Sequence, residues 1–276
     1  MIRIIADTAA DLTKDDLERY HIEVIQEPVT FDGDNEPTIS LDEFWSKLLD
    51  DRIARTSQPS PQVFYDLFEE AKRNQDTLIC IVISSKLSST YESASFIKQS
   101  VGYENIYIVD SLLASVAERF FVLEAAKLRD QNKSAQEIIQ ELEKFRSKIR
   151  LYACVDTLKY LARGGRISKT MADLGNLINI KPLITISPDG TLVPCAKTIG
   201  IHRAIVKMIE KIKKERIDPS YELIPIYSYD SKNCEQFIHK AIRNHLDIKL
   251  ENITPIGSTI GAHFGPFGFG IVYISY

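Results

Sequence analysis

The chain of 276 residues has four cysteines, one tryptophan, three methionines and five histidines. Cys80, Cys154, Cys195 and Cys234 are widely spaced and form no C-x-x-C pair. That excludes the disulfide framework of a small secreted domain and a thiolate metal centre, and it predicts buried free thiols in a reducing compartment. H-E-x-x-H, the Walker A loop, the G-x-S-x-G elbow and any Cys/His cluster of ligand spacing are all missing, so zincin, P-loop and α/β-hydrolase chemistries lose their signatures. Charge of one sign is missing too: 34 Lys and Arg stand against 38 Asp and Glu, a net charge of -4, which speaks against nucleic acid as a partner. No apolar run approaches the length of a membrane span, and Met1–Asp7 is too short and interrupted for a signal peptide. The expectation is a soluble cytoplasmic protein with no integral membrane segment, no metal and no cofactor.

What is present is alternation. Ile2–Ala6, Ile22–Phe31, Leu78–Ile83 and Ile106–Val109 read as strands. Between them lie helical patterns opened by Thr13, Ser40 and Ser60-Pro61, by the stretch around Ser88, by Ser111 and by Ser134. Such alternation predicts a Rossmann-like α/β domain with a parallel sheet and helices on both faces. Beyond residue 150 the pattern changes. Lys181–Ser187 and Thr191–Thr198 flank Pro188-Asp189-Gly190, a hairpin signal. Helical patterns over 201–214 and 233–244, with strands at 152–155, 223–227, 252–256 and 269–275, predict a second α/β domain with a mixed or antiparallel sheet. The expected domains are 1–149 and 150–276.

The richest segment is Ser84-Ser85-Lys86-Leu87-Ser88-Ser89-Thr90, five hydroxyls in seven residues where an apolar strand empties into a helix. Open α/β sheets bind ligands there, and a helix N-terminus favours an anion. A helix entry needs only one capping hydroxyl, so capping does not account for five. Arg55-Thr56-Ser57-Gln58-Pro59-Ser60-Pro61 is an extended loop stiffened by two prolines. It is either a clamp presenting Thr56 and Ser57 or a connection ending in a cap. Asp7-Thr8-Ala9-Ala10-Asp11-Leu12 reads as a turn with a capping acid. Gly257–Gly270 holds five glycines and His263 in fourteen residues, the pattern of a loop approaching a ligand. Arg163-Gly164-Gly165-Arg166-Ile167-Ser168-Lys169 is either a phosphate-binding turn or a helix end with Gly164 as cap.

In this order the segments resemble the DegV family, which includes the fatty-acid-binding subunits of bacterial fatty acid kinase. The family's D-S-x-x-D-L is similar to Asp7–Leu12, and its T-S-Q-P-S matches Thr56–Ser60. Its S-S-x-L-S-G-T-Y-x-S-A matches Ser84–Ala94 with Ser89 in place of glycine, and its L-x-Y-L-x-x-G-G-R-I matches Leu158–Ile167. Its G-x-H-x-G-P-G-x-x-G corresponds to Gly261–Gly270 with Phe267 in place of glycine, and the basic residue it carries before the glycine after the hairpin is absent from Lys197-Thr198-Ile199-Gly200. The resemblance implies one long-chain fatty acid held between the two domains, its carboxylate bound by Thr56, Ser88 and His263. It further implies a separate ATP-dependent kinase subunit that phosphorylates the acid for phospholipid synthesis and meets Arg163 and Arg166. Ser57, Ser89 and Phe267 are secondary candidates for the ligand pocket.

Two other readings stand beside the carrier. One is a Ser/His-dependent hydrolase, for which Asp7 or Asp110 would have to supply the orienting carboxylate. The other is a lipid-responsive regulatory protein.

Overall fold

The computed structural model describes residues 1–34, 36–37, 40–167 and 179–276. The chain divides into two compact units, Met1–Pro28 with Thr56–Ser147 and Pro188–Thr191, and Val29–Arg55 with Lys148–Ser187 and Leu192–Tyr276. The principal border lies at Ser147, and the segment Val29–Arg55, placed by the sequence reading in the first domain, clusters with the second unit.

The first unit is built on a four-stranded parallel sheet in the order β2 (Ile22–Ile25), β1 (Ile2–Asp7), β5 (Thr77–Val82), β6 (Ile106–Asp110). The central strand β5 is buried on both faces, as its unbroken apolar run requires. Ile5, Leu78, Cys80 and Val82 pack beneath α3 (Pro61–Asn74) and α4 (Thr90–Val101), through Phe64, Phe68 and Ala94. On β1 lies α5 (Val116–Asp130), with α1 (Lys14–Tyr20) and α6 (Ala135–Arg146) beside it. Capping boxes at Thr13 and Ser134 start α1 and α6 where the sequence signals them. Helix α5 begins later than its pattern suggests. Leu112 and Ser115 adopt left-handed backbone, with φ of 54° and 56°, so 111–115 forms a turn rather than a first helical turn.

The second unit carries a six-stranded mixed sheet in the order β11 (Thr254–Pro255), β10 (Ile224–Tyr227), β12 (Phe269–Ile274), β7 (Ile149–Cys154), β8 (Ile180–Ile186), β9 (Leu192–Ile199). Among the described residues of this sheet, β10 and β11 pair in parallel and the other neighbours pair antiparallel. Helices α8 (Ile201–Ile212) and α9 (Lys232–Arg243) bury Met208, Ile212, Phe237 and Ile238 against Leu183, Phe269, Ile271 and Tyr273. A smaller core joins β3 (Val29–Phe31), α2 (Leu41–Leu49) and α10 (Ser258–Phe264) through Phe31, Phe44, Trp45, Leu48 and Ala262. β3 pairs with β4 (Ala54–Thr56). The extended run 22–31 is thus two strands of different sheets, separated by Gln26, Glu27 and Pro28. Among the described residues no helix is long and apolar enough to cross a membrane.

Candidate functional site

The carboxyl end of β5 runs directly into the Ser84–Thr90 turn. Ser84 is fully buried, and its Oγ donates to the Gly190 carbonyl (2.9 Å) and accepts from Lys86 N. It therefore secures the Pro188–Thr191 turn, whose Gly190 has φ of 87° and leaves no room for a Cβ beside that hydroxyl. Leu87 N and Ser88 N both donate to Ser84 O, closing the turn before α4 starts at Thr90. Ser89 is the N-cap residue, yet no side chain caps the helix. The five hydroxyls are therefore not a redundant cap. Ser89 Oγ donates to Gln58 Oε1 at 3.0 Å, which ties this turn to the Thr56–Ser60 loop. That loop is held in turn by Ser57 N donating to Pro28 O, and Ser60 caps α3 through Gln62 N.

Ser88, half-buried, lies 2.8 Å through its Oγ from Thr90 Oγ1. Thr90 is fully buried and donates to Glu27 Oε1 at 2.7 Å. Glu27, also buried, donates its N–H to Thr8 Oγ1. Around it stand Asp7 and Glu118, 1% and 0% exposed. Asp7 accepts from Ala9 N and Ile83 N. Burial, and then the charge of Glu27, hold its carboxyl well above the usual carboxylate range. Glu118 is raised in the same way, by burial first and then by Asp7, Glu27, Asp11 and Asp110. Asp110 Oδ1 accepts from Ser85 N and Leu112 N. Both carboxylates considered for a triad thus serve backbone amides, and the hydroxyl partner of Ser88 is a threonine rather than a base. The sequence reading missed Glu27 and Glu118. A charged residue interrupting the run 22–31 was the available signal for the first; an acid inside an otherwise apolar helix face was the signal for the second.

In the second unit His263 sits in the last turn of α10, a correction to the loop expected from glycine density. Packing of Ala262 into the Phe44 and Trp45 cluster outweighs the weak helix propensity of the segment. The imidazole lies on the backbone of Gly164: a Cβ there would meet His263 Nδ1 at 2.1 Å and Cε1 at 2.8 Å. The Leu158–Ile167 motif and the G-x-H motif are therefore one structural unit. Gly164 does end α7 (Lys159–Arg163), but with φ of −73°, so close approach and not a left-handed turn selects glycine. Arg166 donates through Nη1 to Gly164 O. Burial first, and then the Arg166 charge, push the His263 pKa down to about 4, leaving a neutral ring at pH 7. Arg163 is exposed, and its charge helps hold Asp32 and Asp51 below the usual carboxylate range, after Arg55 and Lys159 respectively. Ser168 and Lys169 of the same motif lie outside the described residues. Phe267 takes left-handed backbone with φ of 63°, which explains a glycine at this place in the family pattern. Its ring is 36% exposed and meets Tyr229 edge-on at 5.4 Å, so it joins no core. Among the described residues no group of three His, Cys, Asp or Glu could hold a metal ion.

These features are those of a two-unit α/β protein with a polar turn at the end of a parallel strand. The family model described as "Uncharacterised protein, DegV family" matches residues 1–276, and the chain belongs to the DegV family. A DegV domain-containing protein of Streptococcus pyogenes is 34% identical over 272 residues, 95% of this chain and 94% of that protein. A Thermus thermophilus structure described as fatty acid binding of a DegV family protein aligns with TM-score 0.86 and 27% identity, over 100% of this chain and 99% of the other. DegV of Bacillus subtilis, described as a fatty acid binding protein, aligns with TM-score 0.83 and 26% identity, over 100% and 99%.

Proposed function

We propose that this protein binds one long-chain fatty acid, with Thr56, Ser88 and His263 as donors to its carboxylate, and presents it to a separate ATP-dependent kinase subunit that forms the acyl-phosphate. The observation that carries the reading is full-length similarity to DegV structures described as fatty acid binding, and the resemblance of this chain's motifs to the family pattern points to Thr56, Ser88 and His263 as the donors. The energetics suit the task. Burying one methylene contributes about 0.8 kcal/mol, so a sixteen-carbon tail contributes about 12 kcal/mol before ordering costs. A hydrogen bond to a charged group adds about 1.5–3 kcal/mol. The tail therefore sets affinity, and the donors set position. They are also indispensable, because a carboxylate removed from water without partners is very costly. Hydroxyls and a neutral imidazole orient the carboxylate without the firm ion pair of a lysine, which would lower its nucleophilicity. In this account the chain is a carrier, not a catalyst, and Arg163 and Arg166 belong to the surface that meets the kinase.

The test is single-turnover acyl-phosphate formation with a fatty acid kinase catalytic subunit and palmitate-loaded protein. Ser88→Ala or His263→Ala is expected to retain part of the lipid and to slow phosphoryl transfer. Unchanged acyl-phosphate yield in both variants would contradict the assignment of the head-group site.

A further inference from the structure

The hydroxyl proposed to hold the carboxylate is not independent of the buried acids behind it. Ser88 Oγ, Thr90 Oγ1 and Glu27 Oε1 form a continuous chain with spacings of 2.8 and 2.7 Å. Each hydroxyl has one hydrogen to give, so the chain has a direction. When Glu27 is ionised, Thr90 donates to it, the Thr90 oxygen accepts from Ser88, and the Ser88 hydrogen points inward. Ser88 then shows an incoming carboxylate only lone pairs. When Glu27 carries a proton, Glu27 donates to Thr90, Thr90 to Ser88, and Ser88 outward to the ligand.

Resting on the fatty-acid reading above, we infer that Glu27 is a positioning residue whose proton orients the Thr90–Ser88 relay, so that binding of a fatty carboxylate at Ser88 takes up one proton from solution. The balance is complete: Glu27 carboxylate, ligand carboxylate and one proton give Glu27 carboxylic acid, two turned hydroxyls and bound carboxylate. A proton that instead stays on the ligand, with the chain running inward to ionised Glu27, gives the same uptake through the same residues.

The charge of Glu27 bears on Asp7 at the end of β1 and on Glu118 on α5, and Asp11 after the first turn and Asp110 at the end of β6 add to the acids around Glu118. All are acids. Both carboxyl oxygens of Glu118 are buried with no hydrogen-bond partner among the described residues, which no ionised carboxylate tolerates. Asp7 has both oxygens committed to backbone amides. Glu27 is the acid at the end of the hydroxyl path from Ser88.

The experiment is calorimetric titration of the delipidated full chain with palmitate at pH 7.5, in buffers of differing ionisation enthalpy. The wild type is expected to take up about one proton per palmitate, and its affinity to fall as pH rises, by up to about tenfold per pH unit. Glu27→Gln supplies an amide donor to Thr90 without a titrating proton, and Thr90→Val cuts the relay at a buried isostere. Each is expected to bind palmitate with uptake near zero and a flat pH profile. Circular dichroism establishes that the variants are folded, and either one suffices for the comparison. Palmitate binding by the wild type without proton uptake overturns the relay alone, as does uptake that persists in a folded variant. Absence of palmitate binding by the wild type overturns the fatty-acid reading, and this inference with it.

Discussion

Replacing Gly164 by alanine sets two effects of opposite sign against each other. With φ of −73° the backbone accepts alanine without strain, and Gly→Ala at such a position gains about 0.4–1 kcal/mol by restricting the unfolded chain. Against this, the new Cβ would stand 2.1 Å from His263 Nδ1 and 2.8 Å from Cε1. The obstacle is a ring on a packed helix and not the end of a flexible side chain, so the imidazole must shift. Forced repacking of this kind costs about 1–3 kcal/mol. The net expectation for Gly164→Ala is destabilisation of about 1–2 kcal/mol in urea or thermal unfolding. A double-mutant cycle isolates the cause. In a His263→Ala background the ring is gone, and Gly164→Ala should become neutral or stabilising. Because the displaced ring is the proposed carboxylate donor, the single variant should also weaken palmitate binding. Stability equal to or above wild type for Gly164→Ala, or the same loss in both backgrounds, would refute the contact between the two motifs.

Further outcomes follow from the same geometry. His263 has its pKa lowered to about 4 in the fold against an ordinary value near 6.5. The unfolded chain binds the extra proton in that window, so stability should fall as pH drops from 6.5 to 4, by up to about 3 kcal/mol, and His263→Ala should flatten this part of a chemical-denaturation profile. Glu118 has the opposite sign: its raised pKa means that stability is lost as pH rises through the folded-state titration. Glu118→Gln should therefore stabilise the protein at pH 8 and have little effect below pH 4. Ser84→Ala removes a buried donor to Gly190 O and an acceptor for Lys86 N; a loss of about 1–3 kcal/mol in unfolding free energy is expected. Ser89→Gly removes only an exposed bond to Gln58. It should change stability by less than about 0.5 kcal/mol, and a larger loss would show that this link holds the Thr56 loop in place.

The parts of the fold that follow from local periodicity are legible in the sequence. The apolar run at β5, the capping boxes at Thr13 and Ser134 and the Asp189-Gly190 hairpin each carry a local physical signal, and each element forms close to where it was expected. What local patterns could not show was partnership over long separations. Residues 22–31 look like one extended strand, yet Val29–Phe31 belongs with α2 and α10 of the second unit, because Phe31 is buried in their shared cluster. Glycine density suggested a loop around His263, whereas burial of Ala262 makes a helix there. The site was half visible. The hydroxyl-rich turn and the histidine stand out by composition, and their motifs resemble a known family. Nothing in the sequence pairs Glu27 with Thr90 sixty-three residues later, or lays the His263 ring on Gly164, because both depend on packing between distant segments.

The central claim is that this chain carries a fatty acid. The most direct measurement is mass spectrometry of the organic extract of the purified protein, paired with titration of the delipidated protein by palmitate. A long-chain fatty acid recovered at one molecule per chain, and saturable rebinding at the same stoichiometry, is the predicted result. An extract without fatty acid from a folded protein that also fails to bind palmitate would contradict it.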